Sequence, residues 1–176
     1  MKTIDYVPAR GKLTDWGDNR ANRSDRFLAC VAYLDGVQSQ CGDVPWILYP
    51  HCAGGIRLDG KNLKQHWVFD SNNPGCGDYA GQGNHNLRVG DVDGDGCDEI
   101  MYGSCAIDHD GKGLYSTRMG HGDAMHLTQF APGLKGLQVW DCHENKKDGS
   151  LSVMRLRVKC CFRCKSSNRC RPVYGC

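Results

Sequence analysis

An all-β fold is predicted for this 176-residue chain, and three observations predict it. Its 23 glycines punctuate the sequence at short intervals. No segment sustains helical periodicity for more than about two turns. Short runs of β-branched, aromatic and apolar residues recur about every ten residues, each bounded by Gly, Asp, Asn or Pro. That spacing indicates antiparallel strands in a sandwich or a propeller. Isolated acidic glycine turns between groups of strands favour the propeller.

The predicted strands, in order, are Phe27–Leu34, His66–Asp70, Leu87–Val92, Glu99–Ile107, His126–Phe130, Leu137–His143 and Ser150–Val153. Two stretches break this texture. Val44–Leu58 is apolar and interrupted by Pro and Gly, without alternation. Met154–Cys176 is basic and Cys-rich, and equally patternless. Residues 1–153 are therefore read as one partial β domain, with 44–58 and 154–176 as anomalous segments.

The formal charge of +2 conceals an asymmetry. Residues 151–176 carry seven basic side chains and no acidic one; removing the seven from 22 leaves 15 against 20 acidic groups, a body of −5. An acidic body suits metal loops and excludes nucleic acid as the main partner. No run approaches the roughly 18 apolar residues of a membrane helix, so no membrane partner is expected. The first residues lack the apolar core of a secretion signal. Twelve cysteines suggest disulfides or zinc, but five of them crowd into the last 17 residues. Cys161 and Cys164 have zinc-knuckle spacing without a second pair at a suitable distance.

The run Asp91-Val92-Asp93-Gly94-Asp95-Gly96-Cys97-Asp98-Glu99 carries the strongest chemistry. Alternate carboxylates broken by glycines bend a short loop so that oxygens converge, which is what a hard divalent cation requires. An EF-hand would place a Glu at the twelfth position, where Tyr102 stands, and Ile100-Met101-Tyr102 reads as a strand. A calcium loop of the strand-linked kind is expected, with Asp91, Asp93, Asp95, Asp98 and Glu99 as donors. Asp108 and Asp110 form a shorter acidic turn that suits either a second calcium or an Asx turn. His85, His121, Asp123 and Glu144 lie in Gly-rich turns or at strand ends, and in a propeller such turns meet on one face. His126 and His143 read as packing or supporting groups. Asn84 and Asn86 read as turn residues, with contact to sugar hydroxyls as the alternative. Trp67 and Trp140 read as packing residues.

Several segments recur together in one family. They are Asn22-Arg23-Ser24-Asp25-Arg26-Phe27-Leu28-Ala29, Trp67-Val68-Phe69-Asp70-Ser71, Tyr79-Ala80-Gly81-Gln82-Gly83-Asn84-His85-Asn86, and the acidic loop. Asp110-Gly111-Lys112-Gly113-Leu114-Tyr115-Ser116-Thr117, Gly120-His121-Gly122-Asp123-Ala124-Met125-His126 and His143-Glu144 complete the set. In this order and spacing they resemble the rhamnogalacturonan lyases of polysaccharide lyase family 11, over most of residues 5–43 and 59–153. The resemblance implies an eight-bladed β-propeller, of which this chain supplies two to three blades. It implies several bound Ca²⁺ ions and β-elimination in the pectin backbone rhamnogalacturonan I. It further implies that His85, His121, Asp123 and Glu144 hold a calcium in the active cleft. Imidazole is an unusual calcium ligand, and the same set suits Mn²⁺ or Zn²⁺. The implied parent is an extracellular monomer acting on a polysaccharide. The chain as written, short of most blades, is expected to be inactive, and without a signal it is also compatible with the cytoplasm.

The anomalous segments gain a reading from this resemblance. One set of codons for Val44–Leu58, read one base later, gives CRGYYTRTVLAAYD, a segment of the family's type, and register returns at Asp59-Gly60-Lys61. Met154–Phe162 read two bases on can encode ATAGEVLF, a typical next strand. A displaced frame in both stretches is therefore preferred to a divergent insertion and tail. Two other readings compete for the whole chain. One is a non-catalytic calcium-braced propeller of the integrin-like adhesion type; the other is a disulfide-rich extracellular binding domain. The histidine set separates the lyase from the first of these, because a bracing loop has no use for it.

Overall fold

A computed structural model describes residues 11–16, 19–21, 27–45, 52–59, 62–143, 150–155, 160–165 and 169–173. For 41–45, 52–59 and the described residues beyond 143, the backbone alone is described. The described residues form three antiparallel sheets, each a meander of strands consecutive in sequence. The first sheet holds β1 (Phe27–Ala32), β2 (Gln40–Pro45), β3 (Cys52–Asp59) and β4 (Asn62–Asp70). The second holds β5 (Arg88–Gly90), β6 (Glu99–Tyr102), β7 (Cys105–Ile107) and β8 (Gly113–Ser116). The third holds β9 (Gly122–Thr128), β10 (Gln138–His143), β11 (Ser150–Arg155), β12 (Cys160–Lys165) and β13 (Arg169–Val173). The only helical elements among the described residues are 3-10 turns at Leu13–Trp16 and Gly77–Tyr79. All-β is the architecture observed.

The middle sheet positions everything else, because both of its faces are buried. Side chains alternate across a strand. Ile100 and Tyr102 of β6, with Cys105 and Ile107 of β7, pack toward the first sheet against Phe69, Leu28 and Trp67. Met101 and Ala106 point the other way, into a second core with Met125 and Val139 of the third sheet. The first strands of successive sheets are neighbours, β1 beside β5 and β5 beside β9. Strand β1 alternates likewise: Leu28 and Cys30 face the core, while Phe27 and Val31, with Tyr33 just beyond the strand, are exposed.

Two expectations are corrected here. The single strand predicted over Glu99–Ile107 is a hairpin, β6 and β7, turned by Gly103 and Ser104. Gly103 has φ +65°, the positive value that a tight two-residue turn demands. An added Cβ there would stand 2.8 Å from Cγ of Asn84. Strands β2, β3, β8, β12 and β13 had no counterpart in the prediction. The segments suspected of a displaced frame, 44–58 and 154–176, lie wholly outside the residues whose side chains are described. Gly103→Ala is expected to cost more than about 1 kcal/mol, combining a left-handed backbone with the clash against Asn84; the denaturant midpoint of the variant measures it.

Candidate metal centres and family membership

Each aspartate of the acidic loop begins by satisfying backbone. Asp91 accepts from Gly94 N–H at 2.6 Å and Gly96 N–H at 3.1 Å. Asp93 accepts from Asp95 N–H at 3.2 Å, and Asp95 from Cys97 N–H at 2.8 Å. These are Asx turns, for which Asp is suited. Gly94 and Gly96 have φ of +86° and +93°, so the path between the carboxylates needs glycine. Glu99 opens β6 and is fully buried. Its Oε2 accepts from Val92 N–H at 2.7 Å, while Oε1 is buried with no hydrogen-bond partner.

Of the five donors expected, Asp91, Asp93 and Glu99 offer oxygens all within 4.8 Å of one another. Asp98 turns elsewhere: its carboxylate accepts from Tyr33 N–H at 2.8 Å, and its own N–H donates to Tyr33 C=O at 3.0 Å. It staples the first sheet to the second. Asp95 faces Cys97 and His109, with its Oδ2 3.3 Å from His109 Nδ1. Asp108 lies 2.9 Å from the same nitrogen and groups with Glu99. Asp110 instead accepts from the backbone and ammonium of Lys112 at 2.9 and 2.5 Å, an exposed Asx turn.

An all-oxygen set with one orphaned buried carboxylate oxygen fits a hard cation such as Ca²⁺. Burial is the main cause that drives the Glu99 carboxyl up to about 7, reinforced by Asp93, Asp95 and Asp108 and opposed by the Val92 hydrogen bond. Burial likewise holds the Cys97 thiol above its ordinary range, with Asp95 and Glu99 adding to it.

The histidine set is brought together by a short parallel bridge between Asn84 and Gly122. His85 and His121 flank it, with Nε2 atoms 3.3 Å apart and rings edge to face at 4.9 Å. His121 Nδ1 stands 2.5 Å from Gly83 C=O. A carbonyl only accepts, so Nδ1 carries the proton and Nε2 keeps its lone pair for the cluster. Asp123 Oδ1 lies 3.7 Å from His85 Nε2, with Asp123 more than half exposed. Glu144 lies outside the described residues.

Behind the pair sits a buried polar group. Asn84, completely buried, donates to Asp141 Oδ1 at 2.5 Å, which excludes the sugar-facing role considered for it. His143 Nδ1 lies 3.2 Å from Ser104 Oγ and 3.6 Å from Asp141 Oδ2. Burial raises the Asp141 carboxyl, and His143 and Asn84 draw it back. His126 packs against Trp140 at 5.6 Å. Trp67 packs in the core and donates to His109 C=O at 2.8 Å. His109, Cys97 and Asp141 were missed as site residues. The Asp-His-Asp run at 108–110 was the available signal for His109; Asp141, inside an apolar strand, had none.

A model of the family described as rhamnogalacturonan lyase family 11, C-terminal domain, matches residues 1–159. The chain belongs to this family. It is 55% identical over 147 residues to rhamnogalacturonan exolyase YesX of Bacillus subtilis (strain 168), a match covering 82% of this chain and 24% of the relative. It is 48% identical over 146 residues to rhamnogalacturonan endolyase YesW of the same organism, covering 83% and 24%. Among solved structures, the rhamnogalacturonan lyase PL11 of Bacillus licheniformis matches with a TM-score of 0.85 and 51% identity, over 88% of this chain and 27% of that one. The chain thus spans about a quarter of the length of its family relatives. Membership sets it with lyases rather than adhesion modules.

The Glu99 environment yields a sign-definite expectation. Without a cation, its raised value means the folded chain holds a proton that the unfolded chain, with an ordinary 4.5, has lost. That stabilisation is complete below about 4.5 and is lost as pH rises through about 7, a difference on the order of 3 kcal/mol. In chelator at pH 8, Glu99→Gln is therefore expected to melt above the parent chain. The gap is expected to close as pH falls below about 4.5, and thermal unfolding at the two pH values checks the sign.

Proposed function

We propose that this chain is a portion of a rhamnogalacturonan lyase that cleaves rhamnogalacturonan I by β-elimination at galacturonate. Its His85, His121 and Asp123, together with Glu144, form the cation site beside the substrate. The observation that carries the reading is the His85–His121 pair, with Nε2 atoms 3.3 Å apart and the His121 tautomer set by Gly83. Two imidazole nitrogens and a carboxylate fit a divalent cation, and the family reading makes that ion Ca²⁺. When bound, such an ion neutralises the uronate carboxylate and makes the neighbouring C5 proton easier to remove. The chain's own part is orientation. Gly83 C=O keeps the His121 lone pair outward, and the buried Asn84–Asp141 contact holds the bridge from which both histidines project.

In the same reading the acidic loop binds a second Ca²⁺ that braces the middle sheet. The sheets are blades of an eight-bladed propeller. Three meanders with adjacent first strands support that arrangement, and so does the exposed Phe27, Val31 and Tyr33 row, which a neighbouring blade would cover. Residues 44–58 and 154–176 are taken as frame-displaced sequence. The intact parent is an extracellular monomer.

A chimera tests the assignment. Residues 62–143 replace the aligned stretch of YesX, and unsaturated uronate released from rhamnogalacturonan I is followed by ultraviolet absorbance. The chimera is expected to be active, and His121→Ala within it to lower kcat/KM by about a hundredfold or more, the loss of several kcal/mol of charge stabilisation. An unchanged rate in His121→Ala refutes the assignment. The 176-residue chain alone is expected to release no unsaturated uronate in the same assay, because missing blades leave unpaired sheet edges and an open cleft.

A further inference from the structure

Two stretches of chain run side by side, in the same direction, up to the histidine pair. Ser116 Oγ donates to Asp78 C=O at 2.6 Å and Gly120 N–H to Gln82 Oε1 at 3.0 Å. His121 then meets Gly83 C=O, and the Asn84–Gly122 bridge closes the run. The second stretch is also fastened from behind, where Thr117 N–H donates to Ser104 C=O at 2.8 Å and Ser104 Oγ to Gly120 C=O at 2.7 Å. Arg118 stands in the middle of this fastened stretch, on the approach to His121. The chain from Arg118 to His121 spans at most about 11 Å, so one oligosaccharide can touch both side chains.

Arg118 has a φ of +57°, a left-handed backbone that costs any side chain free energy and that glycine takes without strain. Its side chain does little to offset that cost. It is 70% exposed, and its charged partner among the described residues is Asp78, itself 52% exposed. Exposed ion pairs of this kind contribute little to stability. Backbone strain that the surroundings impose, without a matching gain from the side chain, marks functional positions. What the ion pair provides is aim. Asp78 accepts from Nη2, and the other N–H groups of the guanidinium hydrogen-bond to no described residue. A two-pronged edge of the fork is left for a ligand.

We propose that Arg118 is a specificity-determining residue that binds the carboxylate of a second galacturonate on the substrate strand. The inference rests on the lyase reading above. A guanidinium edge presents two parallel N–H groups that match a carboxylate, which a lysine in the same place would not do. Rhamnogalacturonan I alternates galacturonate with rhamnose, so its carboxylates recur at every other sugar. The carboxylate at the reacting unit belongs to the site of His85 and His121, and Arg118 takes the next one. Such a contact fixes the register of the strand as well as its affinity. Asp78 orients the fork before substrate arrives, which lowers the ordering cost of binding.

The test titrates the full chain, in Ca²⁺, with a rhamnogalacturonan I disaccharide carrying one galacturonate and a tetrasaccharide carrying two. The parent chain is expected to bind the tetrasaccharide about tenfold more tightly, the value of a hydrogen-bonded charge pair. Arg118→Gly is expected to abolish that advantage and to leave the disaccharide affinity unchanged. Its melting temperature is expected to match or exceed the parent's, because glycine accepts the left-handed backbone. A tetrasaccharide advantage that survives Arg118→Gly overturns the proposal. So does an equal loss of both ligands in Arg118→Gly, which would mean that the whole site had been disturbed. No binding of either ligand by the parent chain overturns it too. His121→Ala is expected to weaken both ligands alike, and equal affinities there count against the lyase reading rather than against the role of Arg118.

Discussion

A carboxylate without access to water holds the acidic loop to the middle sheet. Glu99 is the first residue of β6, a strand whose neighbours Ile100 and Met101 fill two different cores. Its position is therefore set by packing on both sides. One of its oxygens caps the Val92 N–H at the start of the loop, so the loop closes onto the strand that follows it. The other has no hydrogen-bond partner. An unpaired buried charge costs several kcal/mol, so this oxygen requires either a proton or a cation. The loop and the core are two ends of one constraint.

The histidine pair depends on a similar device without an ion. His85 and His121 are 36 residues apart in the chain, and the single bridge from Asn84 to Gly122 sets them side by side. That bridge rests on the contact between the amide of Asn84 and the carboxylate of Asp141, both fully buried. Gly103 passes so close to Asn84 that no side chain fits between them. The same Asn84 thus meets the β6–β7 hairpin on one side and the candidate site on the other. Interior polar groups of this kind are structural in what they touch and functional in what they place.

Much of the fold was legible where the pattern was local. The strands ending in Asp70 and His143 were expected within a few residues of their bounds, because β-branched and aromatic runs stop at turn residues. The hairpin at Gly103 was passed over although Gly103-Ser104 is a turn pair: the strands on either side are buried on two faces, so the polar alternation that marks a surface strand is missing. Strand β8 reads as a glycine-rich turn by composition and is held by its pairing with β7. In the site, Asp98 shared the spacing of its neighbours and yet serves Tyr33, 65 residues away.

The sequence by itself determined that the chain is β-structured, that one loop concentrates carboxylates at alternate positions, and that it shares the motifs of a lyase family. Those properties are carried by neighbouring residues and survive any arrangement of the sheets. Only the tertiary structure decided which carboxylates converge and which are spent on other partners, and that His109 and Cys97 stand together. The reason is geometric. A side chain's partners across 10 or 40 residues depend on how sheets pack, and packing is set by apolar faces that carry no information about chemistry.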